Sequence, residues 1–212
     1  MGILQFIKLF FIQGGFFMYA ILIASIFGLA IIIERFYKIA IGFKINSGGF
    51  MNGIFQHIEN KELDKALQLC NQSKAPLPII IRAGIGKLNR SESDIQTAID
   101  EATLEQLPRI SKRTEYLNMI ANVATLLGLL GTILGLIQAF QAVAHADATQ
   151  KATMLAGGIS MALNTTAFGL IVAIPCMISH SVLNSMSDRI LDEIDEFSLK
   201  LINFLKQHQL VK

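Results

Sequence analysis

The stretch LNTTAFGLIVAIP, residues 163–175, lies in a run from Ala152 to Ser187 that contains no Asp, Glu, Lys or Arg. Such a run suits hydrocarbon, yet this one holds Asn164, Thr165, Thr166, Gly169 and Pro175. Polar and helix-weakening residues at that depth require a protein or water neighbour, because lipid offers no hydrogen bonds.

The rest of the chain fits a membrane setting. Of its 212 residues 52% are hydrophobic and 16% charged, with a net charge of +2, a balance that argues against a soluble domain and against a nucleic-acid partner. A membrane span needs about 20 apolar residues rising about 1.5 Å each. Leu9–Ile33, Leu117–Ala144 and Ala156–Leu183 meet that requirement. The first is about twice as long as a signal-peptide core and lacks a small-residue cleavage site before Glu34-Arg35, so it reads as a retained span. Cys70 and Cys176 stand apart and outside any C-x-x-C pattern, which suggests neither a disulfide framework nor a metal site.

Basic residues set the orientation. Arg35, Lys38 and Lys44 follow span one and Arg109, Lys112 and Arg113 precede span two, which places the intervening stretch in the cytoplasm. The N-terminus, with Lys8, and the hairpin between spans two and three, with Lys151, then face outward. The C-terminus returns to the cytoplasm with Arg189, Lys200, Lys206 and Lys212. The expected architecture is an all-α polytopic membrane protein. It has a short segment at 1–8, the first transmembrane helix over 9–40, a cytoplasmic helical lobe over 41–93 and a long helix containing span two over 94–144. An outer hairpin at 145–155, a helix over 156–207 that joins span three to a cytoplasmic extension, and a tail at 208–212 complete it. Ser91 can cap the long helix with Asp94 at the capping-box position, and Pro108 is its expected kink. Ile190, Ile194, Leu201 and Leu205 recur at helical spacing in the extension, whose partner is either the cytoplasmic half of the second long helix or a neighbouring subunit.

The small residues are patterned. Alternate steps of three and four through span two give Asn118, Ala121, Thr125, Gly128, Thr132, Gly135, Ala139 and Ala142, and Gly131 with Gly135 forms a GxxxG pair. In span three Ala162, Thr166, Gly169, Ala173, Cys176 and His180 form one such row, while Gly157, Ser160, Asn164 and Ala167 lie almost opposite. Gly128, Gly131, Gly135, Ala162, Gly169 and Ala173 are therefore expected to pack helices. A three-span chain has too few helices to cover all these faces, which implies a homo-oligomer, a ring around something. Pro175 removes a donor to the Ile171 carbonyl and should bend its helix.

Hydroxyls at Thr132 and Thr166 can hold water or exchange a proton along hydrogen bonds, but threonine does not titrate near neutrality. No acid lies inside spans two or three. Either the chain conducts no protons or another chain supplies the carboxylate. No nucleophile, base or metal ligands stand at useful spacing, so neither an enzyme nor a cofactor is expected. No inverted repeat suggests a solute transporter.

LLGLLGTILGLIQAF at 126–140, followed by GGISMALNTTAFGLIVAIP at 157–175, resembles the paired signature of the MotA/TolQ/ExbB proton-channel family, specifically its TolQ/ExbB branch. The resemblance implies a pentameric ring in the bacterial inner membrane. Its pore would enclose the helices of a dimeric single-span partner of the ExbD/TolR type, which carries the intramembrane Asp. It also implies a proton path beside the threonines of spans two and three, here Thr132 and Thr166, with Thr125 and Asn118 on the same row. Proton flow would then drive work on the cell envelope. TolQ and ExbB commonly carry a Glu where this chain has Met161. A passive membrane scaffold, with rows that serve assembly only, is the competing reading.

Overall fold

The computed structural model describes residues 10, 11, 14–144, 146, 147 and 149–208. The segment expected at 1–8, residue Leu9 and all of the expected tail except His208 lie outside the described residues. Among these residues there is no strand. The helices are α1 (Phe16–Tyr37), which continues as one π-helical stretch (Lys38–Gly42), α2 (Ser47–Glu59), α3 (Leu63–Asn71), α4 (Pro76–Ile85), α5 (Glu92–Ser111), α6 (Thr114–Ala144) and α7 (Lys151–Gln207). Three stretches are long and apolar enough to cross a membrane: Phe16–Gly42, Glu92–Ala144 and Lys151–Gln207.

Two compact units divide the chain. One comprises the described residues up to Ile33 together with Arg113–Ser181; the other comprises Glu34–Lys112 and the described residues from Val182 onward. In the first unit Ile21, Ile120, Ala121, Ala124, Val172 and Ala173 form a buried cluster. Most large apolar side chains of this unit, such as Leu126, Ile133, Phe140, Leu163 and Ile171, point away from it and are exposed. That inside-out arrangement suits a helix bundle in lipid, where close approach of small residues brings helices together and apolar bulk faces outward.

The second unit is built like a soluble helical domain. Phe50, Met51, Ile54, Ile80, Ile81, Ile95 and Ile99 form its core with Ile194, Leu201 and Leu205 of α7. The partner of the α7 extension is thus the lobe and α5 of the same chain. Local sequence explains the starts of these helices. The Asn46 side chain accepts from the Gly49 N–H at 3.1 Å to cap α2. Pro76 opens α4 with φ already set for a helix. At α5 the Ser91 hydroxyl accepts from Asp94 N–H, and the Asp94 carboxylate accepts from Ser91 N–H, each at 3.2 Å, completing the capping box the sequence predicts.

Two features depart from expectation. The path expected as one helix over 94–144 is interrupted at Lys112, which is extended with ψ 130°, and Arg113, with φ 62°. Pro108 lies inside α5, which runs on to Ser111. Arg35, 1% exposed, donates to the carbonyls of Arg109 and Ile110. It satisfies acceptors at the negative end of α5 that a continuing helix would otherwise have used. The second departure is in span one. A helix from Leu9 is expected, but Gly15 has φ 73° and α1 begins at Phe16. That left-handed geometry breaks the helical path and is cheap only for glycine.

Candidate functional site

The contact between α6 and α7 places the site. A Cβ added at Gly128 would lie 3.2 Å from the Thr166 Cα, and one at Gly135 3.2 Å from the Ala162 Cβ. At Gly169 it would lie 2.7 Å from the Ala124 carbonyl oxygen, and at Gly131 inside the Thr165 side chain. Ala162 and Ala173 are buried along the same seam. These glycines let two backbones approach far closer than larger residues allow, so carbonyls come within reach of side chains on the facing helix.

One hydroxyl uses that proximity directly: Thr166 Oγ1 donates to the Gly128 carbonyl at 2.9 Å, tying α7 to α6. Thr125 and Thr132, seven residues apart, share one face of α6 about 40–60° round from Gly128, and Asn118 continues their line. Thr125 and Asn118 are exposed, and Thr132 is partly so. Thr125 Oγ1 donates to the Ala121 carbonyl at 3.0 Å, and Thr132 Oγ1 donates to that of Leu129. Each of these oxygens donates its proton to the backbone and keeps lone pairs able to accept from water or a polar partner. The geometry therefore supplies a line of acceptors beside a tight helix seam. The row itself, made of hydroxyls and one amide, does not titrate near neutrality, and no Asp, Glu, Lys or Arg occurs between Glu115 and Asp147 or between Lys151 and Asp188.

Thr165 was not singled out by the stepping pattern, yet it is the most deeply buried hydroxyl here at 1% exposure. Its single O–H lies within reach of two carbonyls, that of Gly14 at 2.7 Å and that of Met161 at 2.9 Å, which share the proton. The Gly14–Gly15 break in span one thus docks onto α7, and Phe11 packs edge-on against Phe168 with ring centroids 5.2 Å apart. Met161 is half-buried and lines a cavity of about 150 Å³ with Gly14, Gly15, Gly131 and Gln138. At the other end of this unit His180 Nε2 lies 3.5 Å from Glu115 Oε2, within ion-pair range but too long for a good hydrogen bond. Pro175 sits within an unbroken α7. Among the described residues no group of three or more His, Cys, Asp or Glu could hold a metal ion.

A model of the MotA/TolQ/ExbB proton channel family matches residues 72–196, more than half of the chain. The chain belongs to that family. Over 194 residues it is 26% identical to the biopolymer transport protein exbB1 of Vibrio cholerae, covering 90% of this chain and 84% of that one. It is 28% identical over 174 residues to a putative biopolymer transport protein ExbB-like 3 of Synechocystis, covering 82% of each. The Tol-Pal system protein TolQ of Haemophilus influenzae is 34% identical over 106 residues, covering 48% of this chain and 46% of that one. The matched region holds both the α6–α7 seam and the threonine row. Membership in a proton-channel family and three membrane-competent helices make this a membrane protein.

Proposed function

We propose that the chain is a ring-forming subunit of a stator driven by the proton-motive force in the bacterial inner membrane. Five copies surround a dimer of single-span ExbD/TolR-type partner helices, with the N-terminus outside and the C-terminus in the cytoplasm. Proton flow through the ring does work on the cell envelope in transport, envelope integrity or gliding. One observation carries this reading: Asn118, Thr125 and Thr132 leave polar groups exposed along a helix of membrane-spanning character, and after Glu115 in its first turn that helix carries no carboxylate. Such a line needs a polar neighbour at membrane depth, and a proton path needs a titrating carrier. A partner helix that brings an acid into the ring meets both needs. Moving one charge through 100 mV releases about 2.3 kcal/mol, enough to shift a two-state equilibrium of the partner about 50-fold.

Replacing Thr132 and Thr166 with Val, singly and together, tests the reading in a partner-dependent assay of envelope work. Activity should fall in the Val variants. It should return in Thr166→Ser, which keeps the hydroxyl and the bond to Gly128. Full activity in the double Val variant would exclude the hydroxyls from the path. The second reading, a passive oligomeric scaffold, draws on Thr125, Thr132 and Thr166 all donating to backbone carbonyls and on Met161 in place of an acid. Proton uptake by liposomes containing the chain and its partner separates the two. Uptake that ignores the partner's Asp favours the scaffold.

A further inference from the structure

At the end of the first membrane-competent helix, four cations lie near one another in sequence or in space, and the structure commits only two of them. Arg35 is buried on the carbonyls of Arg109 and Ile110, and Lys38 pairs with Glu34 at 2.9 Å. Lys44 and Arg189 are exposed, and among the described residues neither has an ion-pair partner. These two line a single cleft of about 340 Å³ whose floor is apolar, formed by Ile39, Phe43, Met186 and Ile190. The one acid in the lining, Glu193, already accepts the Ser47 hydroxyl at 2.5 Å. Phe36, Tyr37 and Ile41, on the helical turns leading into the cleft, are 53%, 64% and 61% exposed.

We infer that this cleft binds an anionic phospholipid, whose phosphate lies between Lys44 and Arg189 and whose acyl chains run along Phe36, Tyr37 and Ile41. Charge complementarity selects an anion, because the lining keeps two open cations against one engaged carboxylate. The apolar floor and the exposed apolar turns select a lipid over a free phosphate, which would gain nothing from them. The position fits as well, since the cleft closes the C-terminal end of a helix apolar enough to span, where headgroups lie. The inference rests on the membrane location and not on proton coupling, so its failure would leave the stator reading intact.

The test uses the full chain in a neutral detergent. Native mass spectrometry measures binding of phosphatidylglycerol and phosphatidylcholine with identical acyl chains. The wild type should prefer phosphatidylglycerol. Lys44→Gln with Arg189→Gln should weaken that lipid about 30-fold, or about 5-fold for either single change, and leave phosphatidylcholine unaffected. Lys87→Gln with Arg90→Gln removes the same charge elsewhere on the lobe and should change neither lipid. The single variants carry the test if the double variant unfolds. Equal binding of both lipids by the wild type, or equal losses in the two double variants, would overturn the inference. Complete displacement by millimolar inorganic phosphate would reassign the cleft to a free anion. Protection of Lys44 from acetylation in lipid-free protein would show a second copy covering it, and would overturn the inference too.

Discussion

Gly169→Ala is the sharpest probe of the seam. The added methyl would lie 2.7 Å from the Ala124 carbonyl oxygen and 3.2 Å from the Gly128 Cα, both backbone atoms that cannot rotate away. Restoring an ordinary contact of about 3.4 Å requires the helices to part by about 0.7 Å. A shift of that size along the contact stretches the bond from Thr166 to the Gly128 carbonyl from 2.9 Å to about 3.6 Å, beyond hydrogen-bond range. Overpacking of this kind costs ~1–3 kcal/mol. The control is Gly157→Ala on the same helix, where an added methyl meets nothing within 4 Å. Both variants gain the same helix propensity, about 1 kcal/mol, which cancels when they are compared. Thermal unfolding in detergent should therefore place Gly169→Ala below Gly157→Ala by the overpacking cost, and envelope activity should drop in Gly169→Ala alone. Equal stability of the two variants would refute the claim that backbone contact at this seam holds the helices together.

Four further outcomes follow from the second unit. Arg35→Met keeps bulk but leaves the Arg109 and Ile110 carbonyls without their buried donor, and should cost ~1–3 kcal/mol in chemical denaturation. Ser91→Ala removes the cap of α5 and should cost ~0.5–2 kcal/mol, read by the same method. The Ser91 hydroxyl, and then its backbone N–H, hold the Asp94 carboxyl below the usual range. That part of the stability is present above the ordinary aspartate pKa of about 4 and is lost as pH falls through the lower folded value. The gap between wild type and Ser91→Ala should accordingly narrow on acidification, and a constant gap down to strong acid would contradict the carboxylate's role. Burial pushes the Cys70 thiol up to about 11, so alkylation at pH 8 should be slow in the native protein and fast after unfolding.

Signals confined to a few neighbouring residues were readable before folding. Ser91 and Asp94 announce their capping box because both partners lie within one turn. The apolar lengths of the spans and the glycine spacing of α6 are equally local. Contacts that depend on how helices cross were not readable. Steps of three and four put Thr166 on a row and passed over Thr165, because adjacent residues on a helix face partners about 100° apart and only the crossing decides between them. The Gly14–Thr165 bond joins residues 151 apart in the chain, with no motif to link them. The interruption at Lys112–Arg113 contains neither Gly nor Pro. Arg35, which satisfies the carbonyls just before it, lies more than seventy residues upstream. Pro108, the obvious breaker, is accommodated inside α5.

The connection between Ala144 and Lys151 is short, and within it Gln150 and Lys151 both donate to the Asp147 carbonyl, at 2.9 and 3.2 Å. This tight reversal bears on biogenesis. Asn164, Thr165 and Thr166 make α7 a poor solitary entrant into lipid, whereas α6 emerges from the ribosome first and carries the glycine groove that receives the two threonines. The two should leave the translocon as a preassembled pair, with the later helix dependent on the earlier for its insertion.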